Sequence, residues 1–525
     1  MDASEDPTYP ESRVLIIITG GTICMKPSAG GLAPVDGFLE NAMAPLPSFN
    51  DLSESVTLSA VQNGKSVKIP SFRTPPSSYA RHIRYGAIEF TPLLDSSSIS
   101  SEGWTSIAST IRANYHLFDG FVVLHGTDSL AYSASALSFM LSDLGKPVIL
   151  TGSQASIFAL QSDAVDNLLG SLIIAGTFVI PEVCLFFHHK LYRGNRCTKV
   201  SASAFEAFAS PNCDPLARVT SLGVDVNWGL VLRPTQIARF EVTPHLDTAH
   251  VAALRIFPGI KPEMVDGVLR VPQLRGLVLE TFGMGNAPAG VDGSLTRVIE
   301  SAVQRGIVIV NVSQCTSGVV SPLYAPGFAL GEAGVVFGYD LTCEAALTKL
   351  SYLLALPDLT AEEVGRRMSR PLRGEMTAQA TPSFTHPQGW LELGDTTAVA
   401  SGPGTKSPRP LSDSEAAFAG LGYAIQAGDL NTVTELLNTS AISYGGLLQR
   451  ADYAGNTAVH LAAVGPEAAV LRELLVRGAS VHVRNRANNT PLFLAEKMGN
   501  RACVDLLREA GAALWVEERN GNGMM

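Results

Sequence analysis

The chain has 525 residues, 46% of them hydrophobic and 16% charged, with a net charge of −10. That length exceeds one hydrophobic core and predicts about three or four folding units, and the acidic balance excludes a nucleic-acid surface and leaves small molecules or proteins as partners. Seven cysteines (Cys24, Cys184, Cys197, Cys213, Cys315, Cys343 and Cys503) form an odd set without a CxxC pair, which excludes a zinc knuckle or a disulfide framework and fits a reducing compartment.

The opening MDASEDPTYPESR is acidic and polar, with neither the basic start nor the apolar stretch of a secretion signal. Val14–Ile18 reads as the first strand and runs directly into Thr19-Gly20-Gly21-Thr22-Ile23. Paired glycines at a strand end permit positive φ and let a ligand approach the backbone. Neither the P-loop pattern nor GxGxxG occurs in this turn, so nucleotide-phosphate binding is not indicated. Segment 46–80 is rich in Ser and Pro without clean periodicity and reads as a surface loop of low order.

Asp95-Ser96-Ser97 comes next, in a stretch whose SSSISSE also has the composition of a helix N-cap. Phe121–Leu124 is a second strand and ends in His125-Gly126-Thr127-Asp128-Ser129. Two polar turns at the C-terminal ends of parallel strands would face one crevice. A hydroxyl is a poor nucleophile at neutral pH and needs a base; Thr127, Asp128 and a lysine would supply those parts.

Further strands are expected at Pro147–Leu150 and Val183–Phe187. The apolar stretch Leu168–Phe187 is interrupted by Ser171, Gly176, Thr177, Pro181 and Glu182. It predicts a buried helix, a turn at Pro181 and a strand, not a membrane span. The alternation makes the chain α/β, with a parallel sheet covered by helices. Residues 221–248 have few periodic runs and read as a connection. A smaller α/β block follows, with strands at Gly276–Glu280 and Ile307–Val312 and a helix near Ser294–Arg305 that Gly306 stops.

From 377 to 413 the composition turns to Thr, Pro, Gly and Ser, which buries too little apolar area to order a domain and reads as a flexible linker. Beyond it, Thr457 and Thr490 are 33 residues apart, as are Gly478 and Gly511. That period, with the DxxGxTxxHxA pattern, is the signature of ankyrin repeats. Two repeats are clear and a weaker one lies upstream, so 414–515 reads as an all-α repeat module in which His460 bonds loop backbone and has no catalytic part.

The motifs TGGTI and HGTD, in that order, with EFTPLLDSSS, TGSQ, LYRGNRCTK, FGMGNAP and LRGEM, resemble the bacterial-type asparaginase/glutaminase family. The likeness is to its cytosolic type I branch, found in animals with a C-terminal ankyrin extension. The resemblance implies a larger N-terminal asparaginase domain over 13–220, a linker over 221–248 and a smaller C-terminal domain over 249–376. It implies a cofactor-free, cytoplasmic L-asparagine amidohydrolase in which Thr22 attacks the amide carbon and forms an acyl-enzyme, while Thr127, Asp128 and Lys199 relay a proton. Tyr324 resembles a tyrosine that assists the nucleophile, with simple packing as its other reading. Asp95, Ser96 and Ser97 match a segment that grips the α-ammonium and α-carboxylate of an amino acid, as a carboxylate and hydroxyls are suited to do. Asn286 resembles a residue lent to the neighbouring subunit's site, so a homodimer or homotetramer is expected, with an unidentified protein partner for the repeats.

Several positions depart from the pattern. Cys24 stands where Gly, Ala or Ser is usual and is expected to alter turn packing or thiol sensitivity. Ser129 replaces a common Thr, and Ala155-Ser156 sits where relatives often have a proline. Glu280 occupies the place of an arginine from an allosteric asparagine site in some bacterial relatives. Animal relatives of this architecture have also been described as lysophospholipases, yet the GxSxG elbow of a serine esterase is missing. An inactive scaffold is the third alternative, and the intact set Thr22, Thr127, Asp128 and Lys199 argues against it.

Overall fold

The computed structural model describes residues 9–28, 31–35, 37–94, 96–233, 238–322, 325–377, 413–439, 444–452, 454–514 and 518. The chain forms two compact units, Met1–Ala378 and Gln379–Met525. The expected linker falls mainly on residues outside those described.

The first unit is built on a 10-stranded sheet. Its strands are β1 (Glu11–Gly20), β2 (Val56–Gln62), β3 (Lys65–Arg73), β4 (His82–Leu94), β5 (Gly120–Leu124), β6 (Val148–Thr151), β7 (Val183–Phe187), β8 (Lys190–Arg193), β9 (Ala217–Thr220) and β10 (Gly223–Val226). Across the sheet they run β10-β9-β8-β7-β6-β5-β1-β4-β3-β2. The central strands β7, β6, β5, β1 and β4 are parallel, and antiparallel strands extend both edges. Helices α1 (Ser101–Asn114), α2 (Leu130–Met140) and α3 (Ala164–Thr177) connect the parallel strands. Val14, Ile16 and Ile18 pack into one buried cluster and Leu15 and Ile17 into another, as period-two alternation in a strand covered on both faces requires.

The stretch 46–80 departs from expectation. In place of a loop it forms the hairpin β2–β3, joined at Asn63-Gly64 with φ of 51° and 74°. Positive φ at both central residues is the geometry that an Asn-Gly pair adopts in a two-residue hairpin turn. Leu58, Ala60 and Ile69 bury one face while Ser59, Ser66 and Lys68 face solvent, so Ser59 and Ser66 are the wet side of an edge hairpin, while Ser71 is buried and its hydroxyl donates to the Val56 carbonyl. Leu168–Phe187 resolves as expected into α3, a turn at Pro181 and β7, and among the described residues no helix is long and apolar enough to cross a membrane.

A second sheet, all parallel, follows in the same unit: β11 (Val251–Arg255), β12 (Gly276–Thr281), β13 (Val308–Ser313) and β14 (Val336–Phe337). Helices α4 (Pro262–Leu269), α5 (Ser294–Gln304), α6 (Ala325–Glu332), α7 (Cys343–Ala355) and α8 (Ala361–Met368) belong to it. They enclose two apolar clusters, one containing Leu277, Leu279 and Ile309 and the other Val278, Val310 and Leu350.

The second unit is helical, with α9 (Asp413–Ala427), α10 (Leu430–Thr439), α11 (Tyr444–Gln449), α12 (Ala458–Val464), α13 (Ala468–Val476), α14 (Pro491–Lys497) and α15 (Arg501–Glu509). One apolar cluster runs through it from Leu421 to Leu507. His460 is fully buried, with Nδ1 bonded by the Thr457 backbone N–H at 3.1 Å and Nε2 by the Asn489 carbonyl at 3.1 Å. It ties one repeat to the next, as the sequence pattern implies.

Candidate active site

Strands β4, β1, β5 and β6 are adjacent and parallel, so the four segments leaving their C-terminal ends are neighbours whatever their separation in sequence. Those segments carry Ser96, Thr22, Thr127 and Gln154. Their approach is close enough to require glycine. Gly21 has φ 93°, and a Cβ there would lie 2.4 Å from the Gly126 backbone nitrogen. A Cβ on Gly126 would lie 2.5 Å from Ser96 Oγ. Turn packing of this kind holds Thr22 at the head of a short 3₁₀ turn, Thr22–Cys24, where it is part exposed while Ile23 and Cys24 are buried.

Lys199 reaches this cluster from outside the run of parallel strands. It lies on a two-residue strand, Thr198–Lys199, paired with Phe208–Ala209. Its Nζ donates to Thr127 Oγ1 at 2.9 Å and to Asp128 Oδ1 at 2.8 Å. Thr127 Oγ1 in turn donates to Gln154 Oε1 at 3.1 Å. The Lys199 side chain is 20% exposed and that of Asp128 is 69% exposed, so the protomer leaves the cluster open on the Asp128 side. The side chains of Thr127, Lys199 and Asp128 form one hydrogen-bonded line, and Gly21, the residue before Thr22, packs against Gly126, the residue before Thr127.

Two supporting residues escape sequence reasoning. Gln154 belongs to the TGSQ motif, which by itself assigns it no role; the Asp163 carboxylate fixes its turn by accepting from the Gln154 and Ala155 backbone N–H groups at 3.1 Å. His125 is fully buried, and burial pushes its imidazole down to about 4, so it is neutral at neutral pH. Trp104 Nε1 donates to Ser133 Oγ at 2.8 Å, Ser133 Oγ donates to His125 Nε2 at 2.9 Å, and Nδ1–H then points to the Gly126 carbonyl at 2.7 Å. This chain fixes the turn that presents Thr127 and Asp128.

Ser96 is buried against the cluster, and its carbonyl accepts from Ser129 Oγ at 2.5 Å; Ser97 is exposed. Asn286 is placed elsewhere, on a tight turn after β12 whose backbone bonds join it to Phe282. Asp95 and Tyr324 lie outside the described residues. Among the described residues no group of three His, Cys, Asp or Glu is arranged to hold a metal ion.

Cys24 is fully buried, and burial pushes its thiol well up from the usual range, so the expected thiol sensitivity next to Thr22 has no thiolate to act through. Cys315 is exposed, and Cys213 and Cys343 are part exposed. Under native conditions iodoacetamide at pH 8 should modify Cys315 and leave Cys24 unlabelled and turnover intact, as read by peptide mass spectrometry. Labelling of Cys24 before unfolding would contradict this.

Two α/β sheets in one unit, with threonines on neighbouring turns at the C-terminal ends of parallel strands and a lysine bonded to one of them, suit a hydrolytic enzyme that works through a hydroxyl. Comparison with known proteins agrees. Residues 13–232 match the N-terminal asparaginase domain, 250–368 the glutaminase/asparaginase C-terminal domain and 421–518 a set of ankyrin repeats. The chain is 41% identical to the 60 kDa lysophospholipase of Mus musculus over 89% of its own length and 79% of the relative's. It is 36% identical to the L-asparaginase of Dirofilaria immitis over 97% of its own length and 83% of that protein's. The crystal structure of L-asparaginase I from Vibrio cholerae superposes with a TM-score of 0.59 at 39% identity, covering 70% of this chain and 99% of that one. The chain belongs to the asparaginase family and is a hydrolase of amide bonds carrying ankyrin repeats.

Proposed function

We propose that the protein hydrolyses the side-chain amide of L-asparagine to L-aspartate and ammonia through an acyl-threonine at Thr22. The carrying observation is the line Lys199 Nζ, Thr127 Oγ1 and Asp128 Oδ1, with contacts of 2.9 and 2.8 Å, beside the turn that bears Thr22. In the first half-reaction Thr22 Oγ bonds to the amide carbon, the carbonyl π pair moves to oxygen, and the hydroxyl proton passes through Thr127 and Lys199 to the leaving nitrogen. The pair on oxygen then re-forms the carbonyl as the C–N bond breaks, its electrons leaving with nitrogen, and ammonia departs. Water attacks the resulting ester by the same relay, releasing aspartate and restoring the Thr22 hydroxyl. Asp128 keeps the Lys199 amine oriented toward Thr127. Asp95, Ser96 and Ser97 hold the α-ammonium and α-carboxylate, and Tyr324 assists Thr22.

The exposure of Asp128 in the protomer supports a partner subunit over the site, lending Asn286 in a homodimer or homotetramer. Free cysteines throughout the described chain support a cytoplasmic setting, and the ankyrin unit supports a protein partner.

The name of the mouse relative carries a second reading, hydrolysis of a lysophospholipid ester. Purified protein should therefore be assayed at equal concentration with L-asparagine, L-glutamine and lysophosphatidylcholine. The family resemblance leads to the expectation of a strong preference for asparagine over glutamine; the added methylene alone is worth only about 1–3 kcal/mol in pocket discrimination. Comparable kcat/KM for the two amides would refute that preference, and ester turnover exceeding amide turnover would move the assignment to the lipid.

A further inference from the structure

Lys199 has no long strand or helix to hold it. Its register is set by the preceding residues, of which Asn195, Arg196 and Thr198 are bonded to the second sheet's domain and to the segment 372–377 near the end of the first unit. Asn195 Nδ2 donates to the Arg373 carbonyl at 3.0 Å, and Arg196 Nε donates to the Gly374 carbonyl at 2.8 Å. Arg196 also forms an ion pair with Asp340 at 2.7 Å, the two side chains being 5% and 4% exposed. Thr377 closes the arrangement. Its backbone N–H donates to Asp340 Oδ1 at 2.9 Å, its hydroxyl donates to Asp340 Oδ2 at 2.5 Å, and Arg196 reaches the same hydroxyl at 3.3 Å. Next to Lys199, Thr198 Oγ1 donates to Glu344 Oε1 at 2.8 Å.

Asp340 lies between β14 and α7, 144 residues from Arg196, and Thr377 is the last described residue before the stretch that leads to the ankyrin repeats. We propose that Arg196, Asp340 and Thr377 form a positioning clamp that sets the reach of Lys199 to Thr127. The point at which the chain leaves the first unit is then part of the machinery for proton transfer. The proposal rests on Lys199 serving as the relay base. None of the three residues belongs to the Thr22 cluster, and each acts through the backbone that carries Lys199.

The geometry separates this role from general stability. Thr377 is exposed, so its replacement removes two hydrogen bonds and no core packing. Displacing a proton-transfer group by about 1 Å costs up to about 10²-fold in rate, whereas substrate gripping by the Ser96 segment is untouched. The clamp therefore acts on kcat and leaves KM alone.

The test uses full-length Thr377→Val, Thr377→Ser and Asp340→Asn, measuring kcat and KM for L-asparagine in wild-type and Lys199→Met backgrounds. Thr377→Val and Asp340→Asn should lower kcat by about 10- to 100-fold with KM within about threefold, and Thr377→Ser should restore wild-type kcat. In the Lys199→Met background neither should lower the residual rate further, because residues acting through one group are not additive. Equal losses in both backgrounds, a change confined to KM, or unchanged kcat in Thr377→Val would each overturn the clamp. Should Asp340→Asn fail to fold, Thr377→Val alone decides. If Lys199→Met keeps wild-type turnover the relay reading itself fails, and the clamp falls with it; if Lys199→Met is strongly impaired and clamp variants match wild type, only the clamp falls.

Discussion

Replacing Thr22 with alanine is expected to lower kcat for L-asparagine by at least about 10⁴-fold, the scale on which removal of a nucleophile from a cooperating set is felt. Thr22 is the residue with most to lose because the others serve its hydroxyl. Without Oγ no acyl-enzyme forms, and the relay of Thr127, Asp128 and Lys199 can only assist direct attack by water. The fold should be indifferent to the change. Thr22 is part exposed at the head of a short turn, while its neighbours Ile23 and Cys24 carry the packing, and loss of one part-exposed methyl and hydroxyl stays within about 1 kcal/mol. Equal thermal midpoints and equal oligomeric state for the two proteins, alongside ammonia release lost in the variant, would establish Thr22 as nucleophile. Retention of even a tenth of wild-type turnover in Thr22→Ala would remove Thr22 from that role. Thr22→Ser, which keeps the oxygen and drops the methyl, should retain a measurable fraction. The same variant also decides the lipid reading: an ester activity that survives Thr22→Ala has its own site, and one that disappears shares the threonine.

What could be read from sequence follows the physics of local signals. The two glycine turns were legible because a strand ending in Gly-Gly or His-Gly leaves few structural alternatives, and adjacency of β1 and β5 brings them together without any further information. Lys199 is another matter. It stands 71 residues from Asp128 and meets it on an irregular segment, so no periodicity announces it, and only resemblance to known motifs pointed there. The contacts that hold that segment, Arg196 with Asp340 and Thr198 with Glu344, join residues 144 and 146 apart. They depend on how two sheets pack, a tertiary property that no local pattern encodes. The hairpin β2–β3 was missed for a different reason. Its Asn63-Gly64 turn is a strong short-range signal, but serine on the solvent face weakened the apolar alternation that makes a strand visible. Asn286 shows a further boundary: a residue expected to serve a neighbouring subunit's site sits, within one chain, on a turn apart from the cluster it is expected to complete.

The buried pair Lys349–Glu375 should produce the largest effect on stability. Lys349 Nζ lies 2.6 Å from Glu375 Oε1, and both side chains are fully buried. The ammonium also donates to the Met368 carbonyl at 2.9 Å and the Arg370 carbonyl at 2.6 Å, yet burial still pulls its proton affinity below the ordinary lysine range. Glu375→Leu would leave that ammonium without a counter-charge, at a cost of about 3–5 kcal/mol. The thermal midpoint of the first unit should then fall by roughly 6–10 °C, measured by calorimetry on the full chain. Removing both charges in Lys349→Met/Glu375→Leu should recover the part of the loss that comes from the unpaired ammonium, because well-packed apolar replacements often match a buried ion pair. Recovery of stability need not recover rate. The Glu375 carboxylate also accepts from the Leu372 and Arg373 backbone N–H groups at 2.9 and 2.6 Å, and so shapes the turn whose Arg373 and Gly374 carbonyls receive Asn195 and Arg196. A double variant that melts near wild type but turns over asparagine more slowly would assign the ion pair to holding that turn in register for Lys199. A double variant restored in both respects would make the pair a matter of stability alone, and a Glu375→Leu single variant that melts within about 2 °C of wild type would show that the ammonium finds solvent or a proton-free state on its own.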